Sequence, residues 1–153
     1  MLDELAKIIR RLKSEGKKVV HCHGCFDFMH PGHIKHFQTA KDMGDILIVT
    51  VTPDVYVDKG PNRPAFNEKL RAESIASLEC VDFVAINKWP TAQETLRLLR
   101  PDIYVKGQEF EKKEDRTEKL QEEQKILKEI GSQMCYSKEI VFSSTKLIKK
   151  YFK

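Results

Sequence analysis

His30 and His33 stand three positions apart, with Pro31 and Gly32 between them. They close the run Gly24-Cys25-Phe26-Asp27-Phe28-Met29-His30-Pro31-Gly32-His33, which follows a short apolar stretch. This order fits a turn from a strand into a helix. Pro31 fixes φ and removes a donor that a helix start leaves unpaired in any case. Gly32 lets a ligand come close to the backbone. The helix that follows aims its free N–H groups at the same place, which suits a phosphate. These residues therefore suit chemistry on a nucleoside triphosphate, with two imidazoles over the phosphate that reacts.

Cys22-His23-Gly24-Cys25 also matches C-x-x-C, with His21, His30, His33 and His36 close by. Zinc or thiol redox chemistry is the competing reading. A structural zinc site needs further ligands at set spacing, and no second cysteine pair supplies them. A redox pair normally opens a helix, whereas Cys22 lies in the β-branched run Val19-Val20-His21-Cys22. Both cysteines are expected to be small buried hydrophobes, with no protein-held metal. His36, one turn beyond His33, is expected on a helix surface.

The elements that must position these groups follow from periodicity. Leu2, Leu5, Ile8, Ile9 and Leu12 make one face of a helix that Gly16 ends. Lys18 to His23 reads as a first strand, His33 to Met43 as a helix, and Ile46 to Val51 as a second strand. The unbroken apolar character of that strand suits a parallel sheet. Asp54 to Phe66 reads as a loop with one helical turn. Asn67 caps the next helix, with Leu70, Ile75 and Leu78 toward the core. Val81 to Ile86 is a third strand. Thr91-Ala92-Gln93-Glu94 reads as a capping box for a helix through Leu99. Ile103 to Val105 is a fourth strand, ending at Lys106-Gly107. A charged helix over 111–130, a fifth strand within 133–141 and a last helix capped by Ser143 or Ser144 complete the chain.

Alternating strands and helices make this α/β: a parallel sheet of about five strands with helices on both faces. Ligands of such sheets bind beyond the carboxyl ends of the strands. His30 and His33 follow the first strand, Asp54 and Lys59 the second, Lys106 and Gly107 the fourth, and Ser143, Ser144 and Thr145 the fifth. The polar candidates thus converge on one edge.

Bulk properties bound the classes. The 153 residues fit one domain, and 41% hydrophobic with 33% charged residues fits a soluble globule. The net charge is +4, with lysines and arginines near both ends. Solvated helix faces explain these charges better than nucleic acid does. Asp3, Glu4, Lys7, Arg10 and Arg11 interrupt any leader-like apolar run, and no stretch is long enough to span a membrane. A cytoplasmic protein with neither nucleic-acid nor membrane partners is expected.

The run from Gly24 to Asp27 followed by His30-Pro31-Gly32-His33 resembles the G-x-F-D-x-x-H-x-G-H signature of the cytidylyltransferase-like nucleotidyltransferases. Lys59-Gly60, Arg63-Pro64 and Arg71 resemble the family's K-G, R-P and R run. Pro101-Asp102-Ile103-Tyr104-Val105-Lys106-Gly107 is similar to the P-D-x-x-V-K-G segment of bacterial heptose-phosphate adenylyltransferases. Ser143-Ser144-Thr145-Lys146-Leu147-Ile148 resembles the family's late serine–threonine segment. The likeness runs from about Lys18 to Lys150, and is nearest to heptose 1-phosphate adenylyltransferase domains and glycerol-3-phosphate cytidylyltransferase. It implies a Rossmann-like fold, a homodimer, and transfer of a nucleoside monophosphate from a triphosphate to a small phosphorylated acceptor. Such domains are often fused to a sugar kinase.

The resemblance also implies roles. His30 and His33 would meet the α- and β-phosphates, and Lys59 would bridge the phosphates of both reactants. Lys106 would meet the acceptor's phosphate or the triphosphate. Gly24, Cys25, Phe26, Asp27, Gly32, Gly107, Ser143, Ser144 and Thr145 would line the nucleotide, and Asp54, Arg63 and Arg71 the acceptor. For Arg71 a surface ion pair, and for Asp27 a turn-orienting role, are equally open. Mg²⁺ would come with the triphosphate. Two departures stand out. Lys138-Glu139-Ile140-Val141-Phe142 replaces the Arg-Thr-Glu-Gly of choline- and glycerol-phosphate enzymes, which leans toward a sugar phosphate. Asn87-Lys88-Trp89-Pro90-Thr91 replaces an acidic D-T-P of the sugar branch. The alternatives are a CTP-dependent polyol-phosphate enzyme and a non-catalytic nucleotide-binding regulator.

Overall fold

The computed structural model describes residues 1–107, 118–138 and 144–152. Five strands form one sheet: β1 (Val19–Gly24), β2 (Ile46–Val51), β3 (Phe83–Ile86), β4 (Ile103–Gly107) and β5 (Gln133–Ser137). All pairings are parallel, in the order β3-β2-β1-β4-β5. The chain builds outward from β1 to β3, then returns to place β4 on the other side of β1. That reversal puts the switch point between β1 and β4, where open α/β sheets bind ligands.

The central strands are apolar on both faces because helices cover both. One face buries Val20, Leu47, Val49, Val51 and Val105 with Phe37 of α2 (Pro31–Asp42) and Ile75 of α3 (Glu68–Ala76). The other buries Val19, Ile48 and Ala85 with Leu2, Leu5 and Ile9 of α1 (Leu2–Ser14) and Leu99 of α4 (Gln93–Leu99). There Tyr104 packs with Leu96, and with Ile126 and Leu127 of α5 (Glu118–Ile130). A last helix, α6, spans Ser144–Tyr151. Cys22 is fully buried in the first cluster and Cys25 is half-buried; neither is in a disulfide.

Local expectations held in most places. Asp54–Tyr56 is a single 3₁₀ turn, and the Asn67 side chain accepts from Leu70 N at 2.9 Å. Three were wrong. Leu70 is 47% exposed, and Arg71 occupies the buried position beside it at 2%. The Thr91 box does not form: Ala92 is the N-cap of α4 and has no side-chain cap bond. Asn87 organises that loop instead, donating from Nδ2 to Trp89 O at 2.9 Å and Thr91 O at 2.8 Å. Its Oδ1 accepts from the Thr95 hydroxyl. His36 is half-buried rather than free on the helix surface, its Nδ1 2.7 Å from Ser137 Oγ of β5. Of the readings left open for Arg71, its burial excludes the surface ion pair. The expected start of the charged helix at 111–117 and the end of the fifth strand at 139–141 lie outside the described residues.

Candidate active site

β1 ends at Gly24, where a Cβ would come within 2.8 Å of the Phe26 ring. Glycine is therefore required for Phe26 to fold back over the strand end. Phe26 itself takes φ 49, which is uncommon for a bulky residue. Its ring is held edge-on to His33 at 5.4 Å and to Phe37 at 5.0 Å. The turn then delivers His30 as the N-cap of α2 in extended backbone, with Pro31 as the first helical residue and Gly32 buried. The His30 and His33 rings stack at 3.8 Å, inclined by 16°.

His30 N–H donates to His33 Nδ1 at a long 3.4 Å. Nδ1 is thus the bare nitrogen of His33, and its hydrogen sits on Nε2. Burial, with the charges of His30, His36 and Lys59, pulls the His33 pKa down to about 3. His33 therefore presents a neutral N–H donor beside the first turn of α2.

Asp27 is almost fully buried and both carboxylate oxygens are engaged. Oδ2 accepts from Arg63 Nε at 2.5 Å, and Oδ1 from Ala65 N at 2.6 Å and Phe66 N at 3.4 Å. Arg63 Nη1 continues to Thr145 Oγ1 of α6 at 3.3 Å, while Nη2 has no partner among the described residues. The chain Asp27–Arg63–Thr145 thus ties the β1 turn to the start of α6. Arg71 lies beneath the turn. Nε donates to Phe66 O at 2.9 Å, Nη1 to Cys25 O at 2.7 Å, and Nη2 to Asp54 Oδ1 at 2.7 Å. Its donors brace the turn and the Asp54 segment, so Arg71 and Asp54 act on each other first. Lys59 is exposed, yet close enough for its charge to bear on both Cys25 and His33.

At the end of β4, Lys106 Nζ lies 3.2 Å from Glu123 Oε2 of α5, with side chains only 10% and 0% exposed. Gly107 follows as the last residue of that strand. Ser144 and Thr145 open α6, while Ser143 lies outside the described residues. Apart from Ser143, every residue expected at the site lies on or just after the carboxyl end of a strand, Arg63 and Arg71 reaching it through Asp27, Cys25 and Asp54. Glu123 and Thr50 went unread in the sequence, and the buried His21 and half-buried His23 were read only as part of a cysteine–histidine cluster. For the histidines, the i, i+2 spacing on β1 was the available signal.

His21 and His33 set a pH dependence. Burial, with the Lys106 charge, lowers the His21 pKa from 6.5 to about 3, and His33 falls equally far. The unfolded chain then binds the extra protons between these values, so stability is full above pH 7 and falls as pH drops from 6.5 toward 3. The slope reaches about 1.4 kcal/mol per pH unit for each histidine. Urea midpoints are expected to be lower at pH 5 than at pH 7.5. Equal midpoints would show that these imidazoles are not held neutral.

The family model described as cytidylyltransferase-like matches residues 21–150, nearly all of the chain from β1 onward. The chain belongs to this family. Among curated relatives it is 44% identical over 113 residues to the "Bifunctional protein HldE" of Sulfurimonas denitrificans, which covers 72% of this chain and 24% of that one. The HldE of Aliarcobacter butzleri is 38% identical over 128 residues, covering 82% and 27%. The chain thus spans about a quarter of the length of these relatives. A lipopolysaccharide core biosynthesis protein from Thermoplasma volcanium superposes with a TM-score of 0.68 at 26% identity, over 82% of this chain and all of that one.

Proposed function

We propose that this cytidylyltransferase-like chain transfers a nucleoside monophosphate from a triphosphate to a sugar phosphate, releasing pyrophosphate. The observation that carries this reading is the stacked His30–His33 pair, with a neutral His33 donor over the first turn of α2. The resemblance of Pro101–Gly107 to the P-D-x-x-V-K-G segment of heptose-phosphate adenylyltransferases, with Lys138–Phe142 in place of Arg-Thr-Glu-Gly, supports a sugar phosphate as acceptor and ATP as the donor.

Attack by an acceptor phosphate oxygen on the α-phosphorus brings two anions together. Positioning and charge stabilisation are enough, and no protein nucleophile is needed. The first turn of α2 and His33 Nε2–H face the charge that builds on the α- and β-phosphates. Lys59, on its exposed loop, bridges the reactants. Lys106 meets the acceptor's phosphate as a point charge, held in place by Glu123. The opening residues of α6 meet the far phosphates. Mg²⁺ would enter as part of the substrate. No group of three His, Cys, Asp or Glu among the described residues could hold a metal, and Asp27 and Asp54 are already engaged by arginines. On this reading the ion is held by phosphates and water. The reading includes a cytoplasmic homodimer, whose mass light scattering measures.

A panel of heptose 1-phosphate, glucose 1-phosphate and glycerol 3-phosphate against ATP and CTP tests the assignment through pyrophosphate release. Heptose 1-phosphate with ATP should be the best pair. Lys106→Ala should lower kcat/KM for that acceptor at least tenfold, the loss of one charge-assisted contact. A wide preference for glycerol 3-phosphate with CTP would exclude the sugar assignment.

A further inference from the structure

β1 is the central strand, yet it carries two histidines facing the α1, α4 and α5 side. His21 Nε2 and His23 Nδ1 both lie 2.8 Å from the same atom, Thr50 Oγ1 of β2. His23 Nε2 then reaches Thr52 Oγ1 only at 3.5 Å. A polar seam thus runs up an otherwise apolar sheet face to its carboxyl edge. It arrives at the switch point. β1 and β4 pair at Val20–Ile103 and His21–Tyr104, and the pairing stops there. Beyond that level His23 stands on one strand and Lys106 on the other.

The protons along the seam are ordered by one fact. His21 Nδ1 is buried with no hydrogen-bond partner among the described residues. A bare ring nitrogen is cheaper to leave there than an N–H, because orphaned buried donors are the rarer and costlier case. The His21 hydrogen therefore sits on Nε2 and is donated to Thr50 Oγ1. The Thr50 hydroxyl has one hydrogen, which goes to His23 Nδ1. The His23 hydrogen is left on Nε2, pointing to the strand edge with only a long contact. Burial first, and then the charges of His21, Lys106 and Lys119, outweigh a smaller raising contact with the Thr50 backbone and hold the His23 pKa well below its ordinary value, so the ring stays neutral.

We propose that His23 is a specificity-determining residue that donates from Nε2 to a hydroxyl of the phosphorylated acceptor, with Thr50 and His21 as positioning residues that fix the proton there. Lys106, across the opening, takes the same acceptor's phosphate. The inference rests on the nucleotidyl-transfer reading and narrows it to a polyhydroxylated phosphate ester. A site built around a hydroxyl partner discriminates strongly against ligands that lack one.

Two measurements test it on the full chain. In nitrogen–proton NMR of the wild type, the His23 ring should be in the Nε2–H tautomer; the Nδ1–H tautomer overturns the proposal whatever the kinetics show. In steady-state kinetics with heptose 1-phosphate and ATP, His23→Leu should raise the acceptor KM roughly tenfold, the worth of one hydrogen bond. KM and Kd for ATP should stay within about twofold by the same reckoning, since His23 meets only the acceptor. His23→Gln, whose amide restores a donor, should recover most of the loss. An unchanged acceptor KM in His23→Leu, or an equal rise for ATP, overturns the role of His23 while leaving the reaction intact. A wild type that transfers to no phosphate ester at all overturns the reaction and this inference together.

Discussion

Replacing His33 by alanine should lower kcat on the order of 10² to 10³, equivalent to about 3 to 4 kcal/mol, with little change in the Kd for ATP. The geometry sets this split. His33 is neutral and its Nδ1 is occupied by the His30 amide, so Nε2–H is a fixed donor that needs no rearrangement during reaction. On the proposed reading, a neutral donor adds little to binding a triphosphate that lysines and a helix N-terminus would already meet. It adds more as charge builds on the oxygens between attacker and leaving group. Steady-state kinetics alongside calorimetric ATP titration separates the two. A kcat within threefold of wild type, or a loss confined to ATP affinity, would contradict the assignment.

Asp27→Ala should destabilise the fold by about 3 to 5 kcal/mol, because it strands a buried charge. The Arg63 side chain is only 8% exposed and Asp27 is its one ion-pair partner among the described residues. Removing the carboxylate also leaves Ala65 N–H and Phe66 N–H without their acceptor. For a chain of this size each kcal/mol lowers Tm by roughly 2 to 4 °C, so the melting point should fall by about 6 to 20 °C. Asp27→Asn, which still offers an oxygen, should lose less. A drop below 1 kcal/mol in urea unfolding would show that the pair is not the turn's main anchor.

These two predictions mark where the sequence was and was not legible. The order of elements was readable because apolar periodicity is local: an unbroken run at Ile46–Val51 and a 3.6-residue stripe at Leu2, Leu5 and Ile9 each have one reading. The common edge was readable because parallel sheets put every strand's carboxyl end on the same side. Arg71 was misjudged because its partners, Cys25 and Asp54, lie 46 and 17 residues away. Local spacing put Leu70 inside, while the tertiary structure had carbonyls and a carboxylate waiting for a guanidinium one position on. The Asp27–Arg63 pair, 36 residues apart, was hidden for the same reason. His21 and His23 looked like part of a cysteine–histidine cluster. In the fold, strand alternation sends both to the face opposite Cys22, where they meet Thr50.

Nucleotidyl transfer makes the α-phosphorus of a nucleoside triphosphate the atom transferred. The direct measurement uses ATP labelled separately at its α- and γ-phosphates, with heptose 1-phosphate and Mg²⁺. The account predicts α-label in a nucleotide–sugar product and γ-label in pyrophosphate. γ-Label in the sugar product would make the reaction phosphoryl transfer, and no label movement from either position would leave only nucleotide binding; either result would contradict the account.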